Sequence, residues 1–505
     1  MHVGHTDQSI QFISHDLASW VHGLTFEQLS PSAIERAKLF WLDSLACAAE
    51  GSQTEDAAIL LEHHRDMGGV NDSGACALLF TSLRANPVDA TFLNSHMVRA
   101  MDFNDIYWKA DPCHPSDLIC GPLALCEQAG LGGRELILAT VILYELQCRF
   151  AEIGRPGLRE YGWHHATLSG FASALGAGRV LALSPEQLVN AIGISASRTG
   201  TLGAVTAGTL TMMKNTVDPW AARMGVESAL LARRGFTGPA HIIDGKEGLF
   251  HVMGHATVAG ERASFDAAGL TRNLPRGPKD AYRIEECSMK SVPVEALMHS
   301  PISALSEILH QQRVRPKEVR ELRVEVIARA ADILGDPAKY RPTTRETADH
   351  SLPYALAVLI ADGELGPAQF DPRRVNDPSL RPLMDAVRVI ANEEFESRFP
   401  AAQPSRVTLT THDGTTLSAH VEHPKGHPQN PMTPQDVRRK FHTLASPVLG
   451  QSTCDRVAEL VEQLESLNDV RALTSLLRRG QPDAATDGST TNMIRDTATK
   501  NHAFA

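Results

Sequence analysis

The chain has 505 residues, 43% hydrophobic and 21% charged, with a formal net charge of −11. That length exceeds what one hydrophobic core usually serves, so two or more domains are expected. The acidic balance argues against a nucleic-acid partner, which would need clustered Lys and Arg. No run of about 18 apolar residues marks a membrane span, and Met1 to Ser14 lacks a cationic start followed by an apolar block, so neither membrane insertion nor secretion is expected.

Helix signals dominate the first half. Ser32 with Glu35 reads as a capping box ahead of Ile34, Leu42 and Leu45 at helical spacing. Glu135 to Phe150 and Phe171 to Leu183 are Ala- and Leu-rich and free of proline, and Gly170, Ala172 and Ala174 allow close helix approach. Ser184-Pro185-Glu186-Gln187 combines a capping serine, proline at the first helical position and glutamine at the third, and Leu188, Ile192 and Ile194 follow as a stripe. The pattern changes near Pro275. From Val319 to Val326, Leu322, Val324 and Val326 alternate with Arg323 and Glu325 as in a half-buried strand. A helix is expected from Ala348 to Leu359, and Arg406 to Val421 reads as a hairpin turning at Asp413-Gly414. After Pro424-Lys425-Gly426 helices return: Thr433-Pro434 caps one, and Val457, Leu460, Val461 and Leu464 stripe the next. Gln481 to Ala505 is polar and aperiodic, hence expected to be disordered.

The glycines near Gly200 and Gly203 lack the spacing of a dinucleotide fingerprint, and no repeat is present. None of the eight cysteines forms a CxxC pair, and Cys113, Cys120 and Cys126 stand too far apart for a zinc knuckle. No metal site is therefore expected. Cys113, beside His114, reads as a reduced thiol rather than a nucleophile, in a cytoplasmic protein.

The residues that carry chemistry lie in six segments. Met101-Asp102-Phe103-Asn104-Asp105 is followed nine residues later by His114-Pro115-Ser116. Gly162-Trp163-His164-His165-Ala166-Thr167 opens a small-residue helix. Adjacent histidines on a helix point about 100° apart, so His164 and His165 are not both expected to face one site. Lys214 follows Leu210-Thr211-Met212-Met213, and Lys290 stands in Met289-Lys290-Ser291-Val292-Pro293, with Glu295 close behind. Asp349-His350-Ser351-Leu352-Pro353-Tyr354 starts a helix, with Arg345 upstream as a further candidate carboxylate contact.

That order and spacing resemble the MmgE/PrpD family, from about residue 10 to about residue 480. The resemblance implies a mainly α fold with an α+β second domain. Residues 1–272 would form a large helical-bundle domain and 273–424 a smaller α+β lid domain; 425–480 would return to the helical domain, leaving 481–505 as tail. It further implies a cofactor-free, metal-independent lyase, homodimeric, acting on a small polycarboxylate. The name-giving activity is dehydration of 2-methylcitrate to 2-methyl-aconitate in propionate catabolism. By position, Asp102, His114 and His164 would be catalytic, and Lys214, Lys290, Tyr354, Glu295 and Asp105 would bind substrate. This suits the chemistry, because metal-free dehydration needs a base, an acid and cations to hold carboxylates.

Several residues depart from the family pattern. Asn104 stands where a third carboxylate is usual and Ile106 where threonine is frequent, and two extra residues separate Asp102 from His114 relative to the decarboxylase branch. Glu295 stands where decarboxylase members carry histidine, and several dehydratase-like members carry Pro-x-Glu. Dehydration is the favoured outcome; cis-aconitate decarboxylation, imino-diacid epimerisation and a helical scaffold with a decayed site are the alternatives.

Overall fold

The computed structural model describes residues 12–255, 257–258 and 260–479, so the expectation of disorder for 481–505 lies outside them. The fold is mainly α with a small α+β domain. The helical body contains α1 (Ile13–Gly23), α2 (Pro31–Gly51), α3 (Glu55–Asp66), α4 (Pro87–Arg99), α5 (Cys120–Ala129), α6 (Gly133–Glu152), α7 (Ala166–Val180), α8 (Pro185–Ala196) and α9 (Val217–Arg233). α7 lies at the centre, packed on α6, α8 and α9. Small residues permit this: a Cβ on Gly225 of α9 would come within 2.5 Å of the Ser173 backbone of α7.

The caps follow local chemistry. Ser184 caps α8 with a full capping box and Pro185 at the first position, as its sequence predicts. At α2 the cap is Ser30, whose Oγ accepts from the Ala33 amide at 3.1 Å, with Pro31 next. The expected cap, Ser32, instead donates to Glu285 at 2.6 Å. Proline at the first helical position moved the boundary two residues upstream of the Ser–Glu pair.

The second domain is built on a four-stranded sheet, β1 (Val319–Val326), β2 (Val387–Ala391), β3 (Ser405–Thr411) and β4 (Thr416–Val421), in the order β2-β1-β3-β4. β1 pairs parallel to β2 and antiparallel to β3, and β3–β4 is the expected hairpin, with Gly414 at φ +92° in its turn. α10 (His299–Gln311) covers β3 and β4. The helix expected from Ala348 is split: a short helix ends at Ala348, and Ser351 then caps α11 (Leu352–Asp362). Leu322, Val324, Val407 and Leu409 form the inner face of a core separate from that of the helical body. Trp108 crosses from the helical side into this second core, edge-on to Phe399.

α12 (Pro434–Leu449), capped by Thr433, packs on α2 and is followed by α13 (Gln451–Glu462). Val437, Phe441 and Leu444 of α12 and Val457 and Val461 of α13 belong to the helical-body core. Among the described residues no helix is long and apolar enough to cross a membrane, and all eight cysteines are buried free thiols.

Candidate active site

Past α4 the chain turns sharply, and Asp102 takes φ +48°, the left-handed region that aspartate tolerates better than most residues. Its amide donates to the Arg99 carbonyl at 3.0 Å. Lys290 Nζ donates to Asp102 Oδ1 at 2.9 Å and to its carbonyl at 3.0 Å. Arg99 also bonds Oδ1, and Lys214 Nζ lies 3.5 Å from Oδ2. Burial pushes the Asp102 carboxyl up, but Lys214, Lys290 and Arg99 outweigh it and hold it well below the usual carboxylate range. A carboxylate so held is a weak base, which leaves Asp102 to fix the cations.

The imidazoles differ in the nitrogen they present, assigned here from their partners. His114 Nδ1 donates to the Asp105 carbonyl at 2.6 Å, leaving Nε2 bare. His164 Nδ1 accepts from the Ala166 amide at 3.2 Å, leaving Nε2 as an N–H donor. Burial holds both well below the ordinary histidine range, reinforced by Arg99 and Lys290 at His114 and by His165 at His164. Both rings are therefore neutral near pH 7.

Asp102, His114, His164, Lys214, Lys290 and Glu295, drawn from distant stretches of chain, line one cavity of about 90 Å³ between the domains. Its walls carry five cationic side chains, Arg99, Arg159, Lys214, Lys290 and Lys339, against the carboxyls of Asp102 and Glu295. Lys214 is 2% exposed, and among the described residues its ammonium makes no hydrogen bond, only ion contacts of 3.5 Å to Asp102 and 3.7 Å to Asp349. A larger cleft of about 760 Å³ runs past Arg149, Arg155 and Arg272 and holds none of the residues singled out in the sequence. There the Arg149 N–H groups are committed to Glu145 and to the carbonyls of Gly269, Arg272 and Asn273.

Four expectations need correction. His165 also lines the cavity: the two histidines precede α7 rather than lying on it, with ring centroids 3.9 Å apart. Its Nε2 is held by Asp218 Oδ2 at 3.0 Å. Tyr354 does not reach the cavity: it is fully buried in the second core, and its hydroxyl donates to the Gln369 carbonyl. Asp105 lies behind the wall, accepting from Ser116 Oγ at 2.6 Å and from its amide, so it braces the His-Pro-Ser turn rather than meeting a ligand. Burial pushes its carboxyl up to about 7. Arg345 pairs with Asp56 at 3.0 Å and with Glu346, away from the cavity.

Asn104, in place of a carboxylate, donates to Ser116 Oγ and to Asp117 Oδ1, both at 2.8 Å, and so locks the same turn. Ile106 keeps a place in the cavity wall. Cys113 is buried outside the cavity lining, and burial pushes its thiol up to about 11, in keeping with an unreactive thiol.

Sequence reasoning missed Arg99, Arg159, Lys339, His350 and Lys440. Arg99 stands one helical turn before Asp102, a spacing that pairs opposite charges and was there to be read. Lys440 on α12 carries no such signal. It donates to Asp43 Oδ1 and the Phe103 carbonyl, both at 2.7 Å, and to the Lys290 carbonyl at 3.1 Å, fastening the two segments that bear Asp102 and Lys290.

Two triads bring potential metal-ligand atoms within 4.8 Å of one another: His164, His165 and Asp218, and Asp102, Asp349 and His350. Lys214 contacts both carboxylates of the second triad, and an ammonium there would repel a dication.

Two family profiles match the chain: the MmgE/PrpD N-terminal domain over residues 15–260 and the MmgE/PrpD C-terminal domain over residues 292–466. The chain belongs to the MmgE/PrpD family. Among its relatives, cis-aconitate decarboxylase of Aspergillus terreus is 25% identical, the match covering 92% of this chain and 96% of the relative. Cis-aconitate decarboxylase of Mus musculus is also 25% identical, with coverage of 93% and 94%. The 2-methylcitrate dehydratase of Escherichia coli is 24% identical over 82% of this chain and 85% of its own.

Proposed function

We propose that this chain is a lyase acting on a small polycarboxylate, dehydrating a 2-hydroxy tricarboxylate of the 2-methylcitrate type to its 2-methyl-aconitate-type product. The observation that carries this reading is the cavity with five cationic side chains against two carboxyls, and within it the buried ammonium of Lys214, which makes no hydrogen bond among the described residues. A ligand bearing several carboxylates complements that field, and desolvated ammonium groups bind carboxylates well. Lys214 and Lys290 grip two of them, and Asp102 fixes both lysines. His164 Nε2–H donates to the departing hydroxyl, and the bare Nε2 of His114 accepts from it. A neutral imidazole donor suits this role because it polarises oxygen without a charge to desolvate.

Glu295 supports dehydration over decarboxylation, since its position carries histidine in decarboxylase members of the family. The second reading, cis-aconitate decarboxylation, is favoured by the fuller coverage of relatives with that name, 92% of this chain against 82% for the bacterial dehydratase. Incubation with 2-methylcitrate, citrate, cis-aconitate and iminodisuccinate separates the readings. Dehydration yields an unsaturated product without carbon dioxide, decarboxylation releases carbon dioxide, and epimerisation changes only stereochemistry. Turnover of none of the four would overturn the polycarboxylate reading. The chain is further proposed to act as a homodimer, for which light scattering at working concentration is the test.

A further inference from the structure

The proposed reaction needs a group to take a proton from carbon, and the residues of the helical body serve it poorly. Asp102 is held ionised by three cations. His114 has a bare Nε2, but its Nδ1 leans on a neutral carbonyl, so a proton gained there would sit beside Arg99 and Lys290 with only Asp102, already shared among three cations, to offset them. His165 also lines the cavity and is backed by a carboxylate, Asp218, but its ring lies against His164 and beside His114. The second domain brings such a pair to Lys214 and Asp102 themselves. His350, in the loop before α11, lines the cavity and bonds the Asp349 carboxylate through Nδ1. That fixes the hydrogen on Nδ1 and leaves Nε2 bare, 3.9 Å from Asp102 Oδ2, the oxygen that Lys214 also contacts.

We propose that His350, oriented and charge-balanced by Asp349, is the base that takes the carbon-bound proton, a role that rests on the dehydration reading. Nε2 accepts the proton, and the C–H electron pair closes the new C=C bond as the C–O bond breaks onto oxygen. The hydroxide, hydrogen-bonded by His164, takes the proton back from the His350 imidazolium and leaves as water. Asp349 stabilises the imidazolium while it lasts, as a carboxylate behind a catalytic imidazole does elsewhere.

The charged groups facing this ring also couple it to the ligand. Burial, then Lys214, push His350 down to about 4, against the opposing pull of Asp349 and Asp102. A substrate carboxylate seated on Lys214 cancels the repulsion from that lysine, so the imidazole becomes a stronger base when substrate is present. The site is then complete only when the two domains meet around a ligand.

The test uses the full-length chain with 2-methylcitrate as substrate and tricarballylate, which lacks the hydroxyl, as the binding probe. His350→Gln is expected to lower kcat about 10²- to 10⁴-fold, the usual scale of one acid–base group, while tricarballylate affinity stays within about threefold. Added imidazole is expected to restore part of the activity of His350→Ala. Asp349→Asn, which keeps the ring and removes its counter-charge, is expected to lower kcat with little change in KM, and it serves if the His350 variants do not fold. An active wild type with a kcat of His350→Gln or Asp349→Asn within about threefold of its own overturns the role of His350 alone. So does a loss of activity matched by an equal loss of tricarballylate binding without imidazole rescue. A wild type inactive on all four candidate substrates overturns the reading and this assignment with it.

Discussion

At the scale of single residues the cavity is a problem in buried charge. Arg99, Lys214 and Lys290 converge on Asp102, and removing any one partner of a buried ion pair costs more than the pair itself contributes, because the others are left uncompensated. Glu295 shows the opposite stress. Burial raises its carboxyl to about 7, with nearby Lys290 opposing. Between the unfolded value and about 7 the folded chain therefore holds a proton that the unfolded chain has lost. Stability from this group is full below the unfolded value and is lost as pH rises through about 7. Glu295→Gln keeps the contact to the Leu297 amide and is expected to raise Tm at pH 8 by about one degree, on the order of 1 kcal/mol, with no gain at pH 5. Melting curves at the two pH values check this, and equal shifts at both would contradict it. Residues such as Lys214 and Lys290 were legible in the sequence because a charge in apolar surroundings calls for a partner. His165 was misread because the helix was taken to include it, and Tyr354 because a hydroxyl at a helix start satisfies a backbone carbonyl as readily as a ligand.

At the scale of elements, α12 matters out of proportion to its length. Lys440 reaches across the core to Asp43 and to the carbonyls of Phe103 and Lys290, residues 337 and 150 positions away. Lys440→Met is expected to destabilise the chain by about 3 kcal/mol and to lower activity further, because the turn bearing Asp102 and the segment bearing Lys290 lose their common tie. Adding Asp43→Asn should recover part of the stability and little of the activity. Denaturant titration beside kinetics separates the two effects, and full recovery of both would contradict the positioning role. Local patterns gave the hairpin, the first strand and the caps at Ser184 and Thr433, because turn and cap chemistry is decided within a few residues. They misplaced the start of α2 and the break before α11, where proline sets the boundary. The path that brings Lys440 to Asp43 is a tertiary contact, and no short window of sequence contains it.

At the scale of the whole molecule, the site depends on how the two domains meet. Arg345 of the second domain bonds Asp56 of α3 at 3.0 Å, and Trp108 of the helical side is seated in the second core. Arg345→Ala removes a largely buried pair, but Asp56 keeps His96 and Asn215 as partners, so the loss is about 1 kcal/mol and KM is expected to rise about fivefold, with kcat less affected. An unchanged KM would show that the pair does not help hold the domains together around substrate. Family membership and the division into a helical body and an α+β domain were legible from motif order and from the change of period near Pro275. The cationic excess of the cavity was not, because Arg159 and Lys339 join it only through the meeting of the domains.

The proposed chemistry requires that the cavity hold a multiply charged anion through Lys214. Calorimetric titration of tricarballylate into the wild type and into Lys214→Met measures that directly. The wild type is expected to bind, and the variant to bind about thirtyfold or more weakly, the loss of about 2 kcal/mol typical of a buried charge partner. A wild type that does not bind, or a variant that binds equally well, would contradict the account.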